Sequence, residues 1–181
     1  MIEPSPAAEL TRSFANTVDL EDETDELAGS ESAAAWLHAR GLVDEPVRLA
    51  AEGHRRLLDL RAGVRSALGQ VQPDGLAAGE AVLADLPVLV SFSAGGLVPA
   101  PGLPVVDRAL ARLAIAWSDL VTTGESQRLK RCADDVCGWV FWDVSRNHSR
   151  RWCKMRVCGN RAKSRRYSAR QRELRLREET A

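Results

Sequence analysis

The four cysteines of this 181-residue chain carry its clearest chemistry, because all of them fall in the last third and fall in pairs. Cys132-x4-Cys137 is followed, fifteen residues on, by Cys153-x4-Cys158. Two short loops offering two thiolates each can close a tetrahedron around one metal ion without a large core, and four such ligands make a structural zinc site. Cys132, Cys137, Cys153 and Cys158 are therefore the candidate ligands. A spacing of four is loose for such pairs, but it suits a knuckle for the first and a helix start for the second. Two disulfides are a second reading, weakened by an N-terminus, MIEPSPAAEL, that lacks the basic-then-apolar order of an export signal. A nucleophilic thiol is a third reading; it needs a base, and His148 is the only histidine nearby. Zinc held by three cysteines and His148 leaves one cysteine unexplained, and four thiolates fill the position that a catalytic zinc keeps for water.

The second pair sits inside RRWCKMRVCGNRAKSRR, the most arginine-dense stretch of the chain. The net charge of zero hides an asymmetry: residues 128–181 hold 16 Lys/Arg against 6 Asp/Glu, or +10, and residues 1–127 carry −10. A helix expected from about Asn160 bears Arg161, Lys163, Arg165, Arg166, Arg170, Arg172, Arg175 and Arg177, with no acidic partner before Glu173. Like charges at this density cost helix stability unless an anion neutralises them. Nucleic-acid phosphate is the obvious anion, and the acidic half of the chain itself is the competing one. Arginine forks onto guanine and asparagine pairs with adenine, so Asn160, Arg161 and Arg165 are candidates for base edges. Arg150, Arg151, Lys154 and Arg156 are candidates for phosphates, and Arg146, Lys163, Arg166 and Arg170 extend the same basic surface. Gly-Asn-Arg directly after a zinc ligand has an alternative role, capping the helix or hydrogen-bonding the thiolates. For Trp139, Trp142 and Trp152, packing over the metal is favoured over stacking on single-stranded bases; Tyr167 is open to either.

The elements that position this module follow from hydrophobic spacing. EDETDE is too charged for burial and reads as a solvated loop. SESAAAWLHARG has a cap candidate, good helix formers and a closing glycine. The stretch 44–70 reads as one long helix with Asp44 as cap and Pro46 in its first turn. QPDG breaks the chain, LAAGEAVLADL is another helix ended by Pro87, and Val88–Phe92 pairs across Gly95-Gly96 with Leu97-Val98 in a short hairpin. VVDRALARLAIAWSDLV, apolar around much of its girth, is the most buried helix, closed by Gly124. In the cysteine segment Gly138–Trp142 is β-prone and DVSRNHSRR is turn-like, so a hairpin and a basic helix pinned by one zinc is the economical geometry. The fold class is α+β and mainly α: a helical domain over 1–127 with a short β-hairpin, then a small four-cysteine zinc-finger module over 128–181, itself a β-hairpin plus a basic helix.

No apolar run approaches a membrane span, and the chain reads as a cytoplasmic protein. Residues 1–127 hold no phosphate-binding glycine loop, metal-histidine motif or nucleophile elbow. His38 and His54 fall within helices as partly buried polar residues. The helical domain is open to two roles, a small-molecule pocket or a dimer face.

The segment CADDVCGWVFWDVSRNHSRRWCKMRVCGNRAKSRRYSARQR resembles the CGNR zinc finger, named for the tetrad at Cys158, Gly159, Asn160 and Arg161. The aromatic-Asp-x-Ser-Arg run at Trp142–Arg146 and the Arg150-Arg151-Trp152-Cys153 run add to the match. Upstream, FANT at Phe14–Thr17 and the acidic helical domain resemble the ABATE domain. The resemblance implies a stress-responsive bacterial transcription regulator. Zinc would be held by the four cysteines, double-stranded DNA bound by the finger, and a small-molecule effector sensed by the N-terminal domain, with Asn16 and Thr17 as ligand-binding candidates. It also implies an N-terminal strand, which Arg12 and Ser13 interrupt. The alternatives are an enzyme acting on a small molecule in the helical domain with a structural zinc module, or an RNA-binding or protein-interaction module; a homodimer is compatible with each.

Overall fold

The computed structural model describes residues 3–69 and 74–179. Gln70, where the long helix is expected to end, and Gln72-Pro73 of the expected breaker lie outside them.

The chain begins with α1 (Pro6–Ala15), where a strand was implied. Ser5 Oγ accepts from Ala8 N (3.2 Å), Pro6 occupies the first turn, and Ala8, Thr11, Phe14 and Ala15 fall on one buried face. That spacing is helical, and it leaves Arg12 partly exposed beside Glu9. β1 (Val18–Asp19) and β2 (Thr24–Asp25) then clip the acidic run into a hairpin, so Thr24 and Asp25 of the expected solvated loop lie in a strand, with Asp25 half-buried. Asp25 takes both terminal nitrogens of Arg61, at 2.6 and 2.7 Å. Burial works to raise its pKa, but the Arg61 pair and the Leu27 N–H outweigh it and hold the carboxyl below its ordinary value.

α2 (Ser30–Ala39) forms as expected, although its cap is Gly29, closed by the Ser32 hydroxyl. α3 (Ala51–Ala67) starts later than the Asp44-Pro46 signal suggests. Residues 46–50 run non-helically, and Leu49 in this strap and Leu42 and Val43 in the turn before it are buried. α4 (Gly75–Ala84) packs on α3 at a glycine crossing, where a Cβ on Gly63 would lie 2.7 Å from the Gly79 Cα. β3 (Val88–Ser91) and β4 (Gly96–Pro99) form the expected hairpin. α5 (Val105–Thr122) packs against α1, α3 and β4, and Gly124 (φ 76°) closes it in the left-handed region.

After a 3-10 turn at Glu125–Arg128, β5 (Leu129–Arg131) pairs antiparallel with β6 (Val140–Trp142), and the last described element is α6 (Asn160–Glu179). Leu129, Val140 and Trp142 join Phe14, Leu37, Leu57, Leu110 and Leu120 in one core. The hairpin of the cysteine segment is thus built into the helical body. The architecture is mainly α with three two-stranded sheets among the described residues, and no helix there is long and apolar enough to cross a membrane.

Candidate metal centre and basic helix

The first cysteine pair is shaped by a turn at the end of β5. Cys132 N donates to Trp139 O (2.7 Å), and Cys137 N to Asp134 O (3.0 Å), which folds 132–139 into a knuckle. Gly138 completes it at φ 58°, in the left-handed region that favours glycine, and a Cβ there would also displace the end of the Leu20 side chain. The second pair brackets a wide turn, Met155–Gly159, that opens α6 and carries Cys158.

The four sulfurs lie within 4.8 Å of one another. Cys153 Sγ is 3.6 Å from Cys137 Sγ and 3.5 Å from Cys158 Sγ. These separations are far from a disulfide bond of about 2.05 Å. They are close to the edge of a tetrahedron whose centre-to-sulfur distance is about 2.3 Å, the zinc–thiolate length. His148 takes no part: it sits in the 143–150 turn at φ 48°, with its carbonyl accepting from Lys130 Nζ.

Two of the four thiols are held against ionisation. Burial pushes the Cys137 thiol up to about 11. Burial and the neighbouring thiols raise Cys153 further. Cys132 goes the other way: burial would raise it, but the N–H groups of Cys153 and Asp134 and the adjacent thiols together lower it. A divalent ion at the centre would offset the penalty on Cys137 and Cys153, so the donor chemistry fits a thiolate-preferring metal. Phe141 packs on the cysteines with Trp139 and Trp152 partly buried beside it, while Trp142 is buried in the main core. Trp139 and Trp152 thus pack beside the cysteines as favoured, whereas Trp142 packs in the main core instead; Tyr167 is exposed on α6.

Two buried carboxylates organise the basic residues around the site. Asp143, 0% exposed, accepts from Lys130 Nζ (2.8 Å), Ser145 N (2.8 Å) and Arg150 N (3.1 Å). Burial would raise its pKa, but these bonds, Lys130 first, hold it well below the ordinary carboxylate range. Asp134, also 0% exposed, binds Arg165 through one oxygen, and Arg161 Nε lies 3.2 Å from the other. Arg161 Nη2 also donates to Glu21 Oε1 (2.7 Å), which brings the acidic hairpin onto the first turn of α6.

The expected nucleic-acid residues therefore divide. Arg161 and Arg165 anchor α6 to Asp134, and Asn160 Nδ2 donates to Arg156 O (3.0 Å), a local bond across the turn that opens α6. Arg150 is held inward: Nε donates to Trp152 O (2.9 Å), Nη2 to Cys153 O, and the guanidinium covers the Phe141 ring at 4.6 Å. Arg151 stacks on Trp152 at 5.1 Å. Arg146, Lys154, Arg156, Lys163, Arg166 and Arg170 are exposed.

Asn16 and Thr17 place their polar atoms inside the fold. Asn16 Nδ2 donates to Val140 O (2.7 Å) while its Oδ1 accepts from Val140 N (2.8 Å), a two-bond clasp between the end of α1 and β6. Thr17 Oγ1 donates to Phe14 O (2.9 Å) and accepts from Arg61 Nη1 (3.0 Å). Arg65 is a residue that sequence reasoning missed. It is 1% exposed in α3 and donates to Ala15 O. Burial, then the charges of Arg61 and Arg131, pull its pKa down to about 10. Its signal lay in the spacing, since Arg61 and Arg65 share the face of Leu57 and Val64.

A helical body carrying a four-cysteine metal-binding finger with a projecting basic helix defines the class of this protein. The chain belongs to the ABATE family, whose model, described as "Putative stress-induced transcription regulator", matches residues 8–124. The model of the CGNR zinc finger matches residues 128–171. A search of the curated proteins finds no match to the chain.

Proposed function

We propose that this protein is a transcription regulator that binds duplex DNA through α6, with zinc held by Cys132, Cys137, Cys153 and Cys158. The carrying observation is the anchoring of α6 at its start together with the exposed cations along its length. Cys158 and the Asp134 pairs fix its first turns, and beyond them the described side chains from Lys163 to Arg177 are almost all exposed. Twenty residues make a helix about 30 Å long, and the major groove, about 12 Å wide, admits such a helix. Lys163, Arg166 and Arg170 recur at helical spacing on one side and are the residues assigned to DNA, with Arg146, Arg151, Lys154 and Arg156 flanking them on phosphates. The zinc ion supplies the folding energy that a charged segment of this size cannot draw from burial.

For the N-terminal domain the reading is effector sensing. It is supported by a groove of about 890 Å³ between α2 and the strap before α3, lined by Ala34, His38, Val47, Arg48 and Leu49. The experiment is selection of genomic duplex fragments by the purified zinc-loaded protein at two salt concentrations, followed by sequencing. A shared sequence that survives the higher salt supports the reading. Sequence-blind binding lost at higher salt transfers the finger to RNA or to another polyanion.

A further inference from the structure

The β3–β4 hairpin presents an edge that no strand pairs among the described residues. No Asp, Glu, Lys, Arg or His occurs between Asp85 and Asp107, in a chain that is 28% charged. Within that run β4 packs against α5, and β3 lies outside it with Val88, Leu89 and Val90 exposed. Val90 is 77% exposed, and Phe92, directly after the strand, is fully exposed.

The hydrogen-bond parity shows which backbone groups are free. Ala100 N donates to Pro87 O (3.0 Å), and the register pairs Leu89 with Val98 and Ser91 with Gly96. Residues 87, 89 and 91 therefore face β4, and Val88 and Val90 turn their N–H and C=O groups outward. The two edges are treated differently. On β4 the outward positions include Pro99, which has no N–H to offer; on β3 there is neither proline nor charge at an outward position. Edge strands are normally blunted by such residues, and an exposed, uncharged, β-branched edge is a template for pairing.

We propose that β3 is the dimer seam of this protein and that its occupant is β3 of a second copy. Antiparallel pairing with Leu89 opposite its own counterpart lets Val88 N–H donate to the partner copy's Val90 carbonyl, and Val90 N–H to its Val88 carbonyl. The two-fold repeats both bonds, giving four in a closed, isologous contact. The edge is its own complement. Its lack of charge offers nothing to a nucleic acid or to an acidic or basic protein surface, whereas a second copy brings the same apolar row, with Leu89 against Leu89 and Phe92 covering the seam.

The test is the oligomeric state of the full-length, zinc-loaded chain in reductant, by sedimentation equilibrium over a wide concentration range, without DNA. Its outcome is therefore independent of the reading of α6. The expected result is a monomer–dimer equilibrium. Val90→Lys, at an exposed position, sets two cations against each other in the seam and raises the dimer dissociation constant by about a hundredfold with an unchanged far-UV spectrum. Val90→Pro removes only an outward N–H and has the same effect, and Val90→Thr remains a dimer. If Val90→Pro disturbs the hairpin, Val90→Lys decides. A wild-type monomer at every concentration, or a dimer that Val90→Lys leaves intact, overturns the proposal.

Discussion

Replacing Asn16 by aspartate probes the junction between α1 and the finger hairpin with almost no change of shape. The Oδ1 that accepts from Val140 N at 2.8 Å is kept, while the Nδ2 that donates to Val140 O at 2.7 Å becomes a second carboxylate oxygen. Val140 is 1% exposed, so its carbonyl loses its donor where water does not replace it, and it faces a negative charge as well. An unmade hydrogen bond of this kind costs about 1–3 kcal/mol, and the repulsion adds to it, so the expected loss is about 3 kcal/mol. For a chain of this length that is a fall in Tm of roughly 6–12 °C. The pH dependence is distinctive. Facing a carbonyl raises the pKa of the new carboxyl above its unfolded value of about 3.9, and the protonated form donates again. The group then contributes stability that is full below the unfolded value and lost as pH rises through the folded one. The difference from wild type therefore shrinks on acidification and is largest at neutral pH. Thermal and urea unfolding from pH 4 to 7 check this. An Asn16→Asp protein within about 0.5 kcal/mol of wild type at pH 7 refutes the clasp.

The other expectations concern packing, acid and metal. Gly63→Ala forces a methyl to 2.7 Å from the Gly79 Cα and should cost about 1–3 kcal/mol in a urea titration, as an overpacked backbone crossing does. Asp25 and Asp143 both have lowered folded pKa values. Their contribution is therefore present above the unfolded carboxylate value of about 3.9 and is lost as pH falls through the folded values. Asp143→Asn should flatten the acid limb of the stability profile. Metal removal by a chelator should open the Cys153–Cys158 turn and the start of α6 and leave β6 docked, because Val140 and Trp142 belong to the main core. In hydrogen exchange the Val140 amide should stay protected while that of Gly159 loses protection.

What could be read from the sequence was what depends on local chemistry. Paired cysteines announce a tetrahedral donor set whatever the fold around them, and α2, α4, α5 and the β3–β4 hairpin follow from spacing, glycine and proline. The misplaced start of α3 has a physical origin. Asp44 and Pro46 imitate a helix entry, but Leu42 and Val43 are buried in the turn before them and Leu49 in the strap after, and tertiary burial overrides the local signal. α1 shows the reverse case, where Ala8, Thr11 and Phe14 share one buried helical face in place of the implied strand. The roles of the arginines were hidden because charge counting has no geometry. Arg161 and Arg165 look like free cations until Asp134, remote in sequence, is folded beneath them. Asn16 likewise meets Val140 only through the core.

The central claim is that α6 neutralises DNA phosphates from the face bearing Lys163, Arg166 and Arg170. The direct measurement is the affinity of the zinc-loaded protein for duplex DNA as a function of salt, for the wild type and for the variant with these three residues changed to alanine. The expected log–log slope becomes shallower by about 2.7 in the variant, which is about 0.9 for each of the three phosphates left unneutralised. A duplex affinity indifferent to salt, or the same slope in both proteins, contradicts it.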